Sequence, residues 1–208
     1  MSTFESSTFG RISGHHGTAV AMKSKSTGKN YLRLYAIPTD ARTAKQLAQR
    51  AKFGMVNSNL SCMRKLFATT FGSRQGINEA VSLAFKTAIT GTYPDYSIDY
   101  AKLVMSLGSV NGTGQISVTK TLGTKVHLQW DTTQGTESTP DDGVNLIFLN
   151  TVTKTAILKK DFAIRSVGIA EVELPVIWEG AEIHCWIYFT TPDDSLTSTS
   201  QYVNQLQL

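Results

Sequence analysis

The sequence predicts an α+β protein in which a β-hairpin and short helices precede a two-sheet β-sandwich. Three observations lead to this fold class. The apolar residues follow a helical period of about 3.6 residues up to Gly91 and a strand period of about two residues from Thr92 onward. Turns rich in glycine, proline, serine and aspartate separate the later strands. The net charge changes sign at the same boundary, so we expect two domains, residues 1–91 and residues 92–208.

The two predicted domains carry opposite charge. Residues 1–91 contain 13 Lys and Arg against 3 Asp and Glu, a net charge of +10. Residues 92–208 contain 7 against 13, a net charge of −6, and the sum is the +4 of the whole chain. This asymmetry predicts an anionic partner for the basic half, either nucleic acid or the acidic half of a neighbouring copy. A solvated basic surface without a partner is the alternative.

The first predicted element is a β-hairpin. Residues 17–24 and 29–36 alternate as strands do, and the turn between them contains Gly28, which can adopt a positive φ. The basic residues expected on its exposed face are Lys23, Lys25, Lys29 and Arg33. A lone hairpin is marginally stable in water, so we expect it to pack on the following helices or on another subunit.

A basic helix is predicted next. Thr43 and Gln46 have the spacing of a capping box, which indicates the start of a helix that runs to about Phe53. Its apolar stripe is narrow and its opposite face is basic. The basic residues within it and just before it are Arg42, Lys45, Arg50 and Lys52.

Two further helices are predicted before the boundary. In the first of them, Leu60, Met63 and Phe67 are spaced by three and four residues, so they form one apolar face. Asn78 is suited to cap the second, and Gly91 is suited to end it. Apolar stripes of this kind usually belong to the core, so we expect them to be buried.

The second half is predicted to be all β. About seven short strands at this spacing are typical of a sandwich of the immunoglobulin or fibronectin III type. The candidate strands are Ala101–Ser106, Gly114–Leu122, Lys125–Trp130, Val144–Asn150, Thr155–Lys159, Ile169–Leu174, Glu182–Thr190 and Tyr202–Leu208. Trp130 is expected to anchor the core, and Cys185 is expected to be buried.

The sequence carries none of the common catalytic or cofactor-binding motifs. It has no Gly-x-Ser-x-Gly elbow, no phosphate loop ending in Gly-Lys-Ser/Thr and no Gly-x-Gly-x-x-Gly. His15 and His16 are adjacent, and no third ligand follows at a zinc-like spacing. The Pro-Asp-Asp sequences at residues 140–142 and 192–194 are typical of turns. We therefore expect no metal, no cofactor and no enzymatic activity.

Two observations bear on the location of the protein. No apolar run in the sequence approaches the ~18 residues that a membrane-spanning helix needs. The N-terminus lacks the basic and apolar regions of a secretory signal. We expect a protein that is made in the cytoplasm, does not enter a membrane, and keeps Cys62 and Cys185 reduced.

Two separated motifs resemble a known family. They are residues 39–53, TDARTAKQLAQRAKF, and residues 88–95, AITGTYPD. With a glycine-rich start and a strand that ends before Pro38, the chain resembles an uncharacterised family of unknown function that is widespread in Bacteroidota and in their phages and prophages. Residues 22–24 depart from the pattern, because a Trp and a Lys-Gly are expected there. The resemblance implies a shared fold and lineage and leaves activity open.

These expectations favour a non-enzymatic structural protein that assembles with copies of itself. The resemblance implies a phage virion component of capsid type, which would reside in the virion after assembly. The basic half would contact nucleic acid or neighbouring subunits, and phosphate contacts would be sensitive to salt. The expected contact residues are Lys23, Lys25, Lys29, Arg33, Arg42, Lys45, Arg50 and Lys52.

Two other functions stay open. One is a nucleic-acid-binding module without a role in assembly, for which the same basic half is the evidence. The other is a carbohydrate or adhesion module that uses aromatic side chains of the sandwich. The aromatic residues considered for it are Trp178, Trp186, Tyr188 and Tyr202.

Overall fold

The structure is a computed structural model that describes residues 2–3, 13–24, 27–37, 40, 42–72 and 75–208. The chain forms two compact units, Met1–Thr43 and Ala44–Leu208. The division therefore falls just before the first helix, whereas the change of periodicity in the sequence lies near Gly91. Among the described residues, no helix is long and apolar enough to cross a membrane.

The first unit contains a four-stranded antiparallel sheet with the strand order β1-β4-β3-β2. Its strands are β1 Ser2–Thr3, β2 Gly14–His16, β3 Ala19–Lys23 and β4 Asn30–Leu34. Strands β3 and β4 are the predicted hairpin, and they pair within one chain. The hairpin is extended on both sides, because β2 pairs with β3 and β1 pairs with β4.

The register of this hairpin separates two of the predicted contact residues. Val20 pairs with Arg33, and Lys23 pairs with Asn30. Paired residues share a face of the sheet and successive residues alternate, so Lys23 and Arg33 point to opposite faces. The prediction that one exposed face carries both Lys23 and Arg33 is wrong. Alternation within each strand does not determine which residues of β3 and β4 pair, and that pairing decides which side chains share a face.

The second unit begins with three helices, α1 Ala44–Leu60, α2 Arg64–Thr70 and α3 Gly76–Thr87. Helix α1 starts directly after Thr43, as the capping box predicts, but it continues past Phe53 to Leu60. A single 3₁₀ turn, Ser61–Met63, joins it to α2. Leu60, Met63 and Phe67 are all buried, as predicted. They lie on α1, the 3₁₀ turn and α2, so the prediction that one helix carries all three is wrong.

Helix α3 ends earlier than predicted because a small hairpin follows it. Strand β5 Ile89–Thr92 pairs with β6 Asp95–Ile98. Gly91 lies in β5 with φ +84°, and a Cβ at this position would stand 2.3 Å from the backbone oxygen of Asp95. The glycine is therefore required by the hairpin and does not end the helix.

Seven antiparallel strands complete the second unit in two sheets, with the orders β10-β9-β12-β13 and β11-β8-β7. They are β7 Ile116–Lys120, β8 Lys125–Trp130, β9 Gly143–Asn150, β10 Thr155–Ile164, β11 Ile169–Glu173, β12 Glu182–Thr190 and β13 Gln201–Gln207. Seven of the eight predicted strands are thus present. The predicted strand Ala101–Ser106 is wrong, because Tyr100–Lys102 is a 3₁₀ turn whose N-cap, Asp99, accepts a hydrogen bond from the Ala101 amide at 3.1 Å.

The two sheets share one hydrophobic core. Leu128 and Trp130 of β8 belong to the same buried cluster as Phe148 of β9 and Cys185 and Ile187 of β12. Trp130 is therefore a core anchor and Cys185 is buried, as predicted, and both Cys62 and Cys185 are free thiols. Side chains from facing sheets interdigitate in this way when the sheets pack face to face.

A second core lies on the opposite face of the β10-β9-β12-β13 sheet. There Ile147 of β9 and Trp186 of β12 belong to one cluster with Leu60, Met63 and Phe67 of the helical region. Strands β9 and β12 are buried on both faces, which explains their almost continuous apolar sequences, GVNLIFLN and EIHCWIYFT. The unit is an α+β arrangement of three layers, and the helices share their core with the strands that follow them.

Candidate docking groove in the helical layer

The predicted contact residues of the first unit are scattered. Lys23 and Arg33 are exposed on opposite faces of its sheet, and Lys29 is exposed just before β4. Arg42 is exposed, and its Nε lies 3.3 Å from Asp40 Oδ2. Lys25 lies outside the described residues.

The predicted contact residues of the second unit all lie on α1. Lys45 and Arg50 are exposed. Lys52 is half-buried, and its Nζ lies 5.0 Å from the centroid of the Tyr96 ring in β6. This cation–π contact holds Lys52 against the β5–β6 hairpin, so its ammonium is directed at a ring of its own chain.

A groove of about 470 Å³ between α1 and α3 brings apolar and basic side chains together in the second unit. Its apolar lining consists of Phe53, Ile77, Val81 and Phe85. The rings of Phe53 and Phe85 lie with their centroids 6.1 Å apart, and Phe53 is 55% exposed. Val81 and Phe85 are half-buried and Ile77 is buried, so Phe53 is the exposed end of an apolar surface that continues into the core. An exposed aromatic side chain joined to further apolar groups is typical of an interaction surface.

The rim of this groove is polar and basic. It is formed by Gln49, Asn57, Arg64, Asn78, Ser82 and Lys86. Arg64 and Lys86 are exposed, and within the described part of the chain neither forms an ion pair. Two available cations beside an apolar floor attract a partner that is apolar at its centre and anionic at its edges.

The helical sequences explain why the groove forms. Phe53 lies in line with Val56 and Leu60 on α1, three and seven residues away, and the latter two are buried. On α3, Ile77, Val81 and Phe85 recur every four residues. Phe53 is the exposed end of the stripe on α1, and Val81 and Phe85 lie at the edge of the core on α3, so these side chains meet in the groove.

Sequence reasoning did not identify this groove. It expected the apolar stripe of the third helix, which contains Val81 and Phe85, to belong to the core, and both side chains do pack against the core while half-exposed. It placed Phe53 at the end of a helix and did not single out Arg64 or Lys86. Phe53 and Phe85 lie side by side only because α1 packs against α3, and the periodicity of the sequence does not predict that packing.

A second polar cluster surrounds Arg165, which is fully buried. Its Nε lies 3.1 Å from Asp142 Oδ2, and its other two nitrogens donate to the backbone oxygens of Gly112 and Asn111 at 2.9 and 2.6 Å. The guanidinium also lies 3.8 Å from the centroid of the Phe189 ring. Each nitrogen of the guanidinium is already bonded within the chain, so this cluster is a structural link rather than a binding site.

A third cluster is aromatic and contains His184. Its Nδ1 lies 2.9 Å from the Tyr202 hydroxyl, and its ring stacks on Tyr100 with the centroids 4.4 Å apart. Burial lowers the pKa of His184, and the nearby Glu182 carboxylate opposes this shift. The neutral imidazole is therefore favoured where the helices meet the sheet.

The aromatic residues considered for adhesion lie mainly in the cores. Trp178, Trp186 and Tyr188 are buried, and Tyr202 is half-buried against Trp186. Three of the four side chains therefore present no face to an external ligand. The α1–α3 groove is the better candidate for an interaction site.

The family of the chain follows from comparison with known proteins. The model of DUF6266, a family of unknown function, matches residues 12–204. A search of curated proteins gives no match. The matched segment includes both motifs noted in the sequence, residues 39–53 and residues 88–95, together with the helices of the groove. The chain therefore belongs to the DUF6266 family of unknown function.

Proposed function

We propose that this protein is a non-enzymatic structural protein that assembles with copies of itself. The observation that carries the proposal is the α1–α3 groove, in which exposed Phe53 and half-buried Val81 and Phe85 lie beside exposed Arg64 and Lys86. Exposed aromatic and aliphatic groups with a charged rim have the composition of a protein interface. The acidic second half, with its net charge of −6, offers a matching surface on a neighbouring copy.

The setting that we propose is a phage virion, with the protein as a component of capsid type. The charge asymmetry of the chain suits this setting, because a basic face can meet packaged nucleic acid while an acidic face meets the next subunit. The expectation that the family occurs in Bacteroidota and in their phages and prophages motivates the same proposal.

We also propose that β7–β13 form an immunoglobulin-like sandwich of the fibronectin III type. Seven antiparallel strands in sheets of three and four, with the orders β11-β8-β7 and β10-β9-β12-β13, support this assignment. If the strands are lettered A, B, C, C′, E, F and G along the chain, these sheets are E-B-A and C′-C-F-G, in agreement with sandwiches of this class. Such modules often present lateral contact surfaces, although the fold alone does not fix the function.

Negative-stain electron microscopy of the full chain tests the proposal. At about 0.1 M salt, where charges a few ångströms apart are incompletely screened, we expect rings, filaments or closed shells. At about 1 M salt we expect shorter or fewer assemblies, because the rim charges of the groove are exposed. Dispersed single particles at both salt concentrations would contradict self-assembly.

Binding of single-stranded nucleic acid is the second candidate function. The specific observation in its favour is the exposed ring of Phe53 next to half-buried Phe85, beside Arg64 and Lys86, since bases stack on aromatic rings while cations meet the phosphates. Fluorescence anisotropy of a labelled oligonucleotide tests it. Binding that weakens with salt and with Phe53→Ala would support it, and an unchanged anisotropy at low salt would exclude it.

A further inference from the structure

We infer that the α1–α3 groove of one copy receives the exposed turn of residues 175–179 of another copy. We call this turn, which contains Val176 and Ile177, the aliphatic knob. The inference rests on the proposed self-assembly and names the two surfaces that would meet. It predicts an association between unlike faces of the protein.

The aliphatic knob combines exposed apolar side chains with a fixed backbone. Val176 and Ile177 are 70% and 83% exposed, whereas the next residue, Trp178, is buried in the core between the two sheets. The Trp178 amide donates to Pro175 O and the Glu179 amide to Val176 O, each at 2.9 Å. An apolar group held in one conformation loses little entropy when it binds, which favours its use as an anchor.

The turn between β7 and β8 enlarges the apolar surface of the knob. The Leu174 amide donates to Thr124 O at 3.1 Å, so this turn lies beside the start of the knob. Leu122 in the same turn is also strongly exposed. Several aliphatic side chains without a partner therefore lie at one end of the sheets, on loops where they contribute little to the core.

The charges beside the knob complement those of the groove. Glu173 and Glu179 flank Val176 and Ile177 and are exposed, and neither forms an ion pair with another described residue. The neighbouring Glu171 differs, because its Oε1 lies 3.3 Å from Lys125 Nζ. An aliphatic pair flanked by two carboxylates therefore complements an apolar lining that is accompanied by two cations, Arg64 and Lys86.

The layers of the second unit prevent the knob from filling the groove of its own chain. The knob follows β11, an edge strand of the three-stranded sheet, and the groove lies in the helical layer. The four-stranded sheet lies between them, since one of its faces packs on the three-stranded sheet and the other on the helices. The contact must join two copies, and contact between unlike surfaces produces rings or filaments.

Two exposed substitutions test the inference. Ile177→Asp places a charge on the knob, and Phe53→Glu places one in the groove while keeping a residue that is favourable in a helix. Each change lies on the surface, so the fold should persist, which circular dichroism checks. We expect each variant to lose affinity for itself by roughly tenfold or more, because each removes an anchor from the interface centre.

Mixing the two variants gives the decisive result. The Ile177→Asp variant keeps an intact groove and the Phe53→Glu variant keeps an intact knob, so we expect a one-to-one heterodimer of twice 22.7 kDa by light scattering. Val152→Asp is the matched control, since Val152 is 76% exposed in the turn between β9 and β10 and outside the knob. This control should assemble like the unmodified chain.

The outcomes separate this inference from the proposed function. If the unmodified chain assembles and Ile177→Asp assembles equally well, the knob is not the partner of the groove, although self-assembly stands. If both variants are monomeric and their mixture stays monomeric, the pairing is also overturned. If the unmodified chain is itself monomeric, self-assembly fails and the inference fails with it.

Discussion

At the scale of single residues, Arg165 shows how this fold accommodates a buried charge. Its guanidinium links Asp142 in the turn before β9 to the backbone of Asn111 and Gly112 before β7. The backbone oxygen of Arg165 also accepts a hydrogen bond from Trp130 Nε1 at 2.9 Å. A buried cation is tolerated only when its hydrogen bonds are satisfied, so these segments depend on one another.

Replacing Arg165 should therefore destabilise the protein strongly. We expect Arg165→Met to lower the free energy of unfolding by about 3–5 kcal/mol, because Asp142 would remain buried without its partner. Urea denaturation monitored by tryptophan fluorescence measures this loss. The matched control is Lys160→Met, which removes an exposed ion pair to Asp194 and should cost about 0–1 kcal/mol. Equal losses in the two variants would contradict the structural role of Arg165.

His184 should make the stability of the protein dependent on pH. Burial lowers the pKa of His184 in the folded chain, so below about pH 6.5 the unfolded chain binds more protons than the folded one. The free energy of unfolding should therefore fall as the pH decreases through this range. The groups that face the imidazole are Tyr100, Glu182, Trp186 and Tyr202.

Urea midpoints at about pH 8 and about pH 5.5 test this dependence. We expect a lower midpoint at the acidic pH for the unmodified chain and a smaller difference for His184→Gln, which cannot be protonated. The variant keeps the other histidines and the carboxylates, so the change in the difference belongs to His184. A midpoint difference that is the same in both proteins would contradict the assignment.

At the scale of elements, the β5–β6 hairpin depends on close backbone contact at Gly91. A Cβ there would meet Asp95 O at 2.3 Å, whereas at Gly180, which has the similar φ of +78°, nothing lies within 4 Å of an added Cβ. The two positions share the cost of a positive φ, and they differ in the space for a side chain. They therefore form a matched pair.

Substituting alanine at each position should separate the two effects. We expect Gly180→Ala to cost about 1–2 kcal/mol, the penalty of a left-handed conformation. Gly91→Ala should cost clearly more, because the backbone of the hairpin must also move away. Thermal unfolding of the two variants measures the difference. If Gly91→Ala is no more destabilising than Gly180→Ala, the close approach is not a constraint.

Strands were predictable from the sequence where only one face of the strand is buried, because apolar and polar residues then alternate. Residues Lys125–Trp130 alternate between core and solvent, and β8 has these bounds in the structure. The long strand Glu182–Thr190 was also predicted, because its apolar run ends at Pro192 and the following turn. The register of the β3–β4 hairpin was not predictable, since it depends on hydrogen bonds across the turn that the strand periodicity does not encode.

The candidate site was predictable only in its chemistry. A basic, helix-containing region was expected, and α1 and α3 supply the walls of a basic groove. The residues that form the groove were not among the predicted contact residues. Lys45 and Arg50 were chosen because they are basic and lie in the first predicted helix, and neither lines the groove. Arg64, Lys86 and Phe53 come together through packing between helices that are distant in the sequence.

At the scale of the whole molecule, the helices cannot be separated from the strands that follow. Phe67 of α2 and Trp186 of β12 belong to one buried cluster, so removing the helices would expose a face of the four-stranded sheet. Within the unit Ala44–Leu208, residues 44–91 hold 7 Lys and Arg against 1 Glu, a net charge of +6, and residues 92–208 carry −6. Basic helices therefore lie on one side of that sheet, and the aliphatic knob with its flanking glutamates lies beyond the other. This arrangement is suited to association of unlike faces.

The molar mass of the full chain in solution tests the central claim of self-assembly most directly. Size-exclusion chromatography with light scattering, over a range of protein concentrations, measures it. We predict a mass that exceeds 22.7 kDa, rises with concentration at about 0.1 M salt and falls toward the mass of one chain at about 1 M salt. A mass of 22.7 kDa at every protein and salt concentration would contradict the claim.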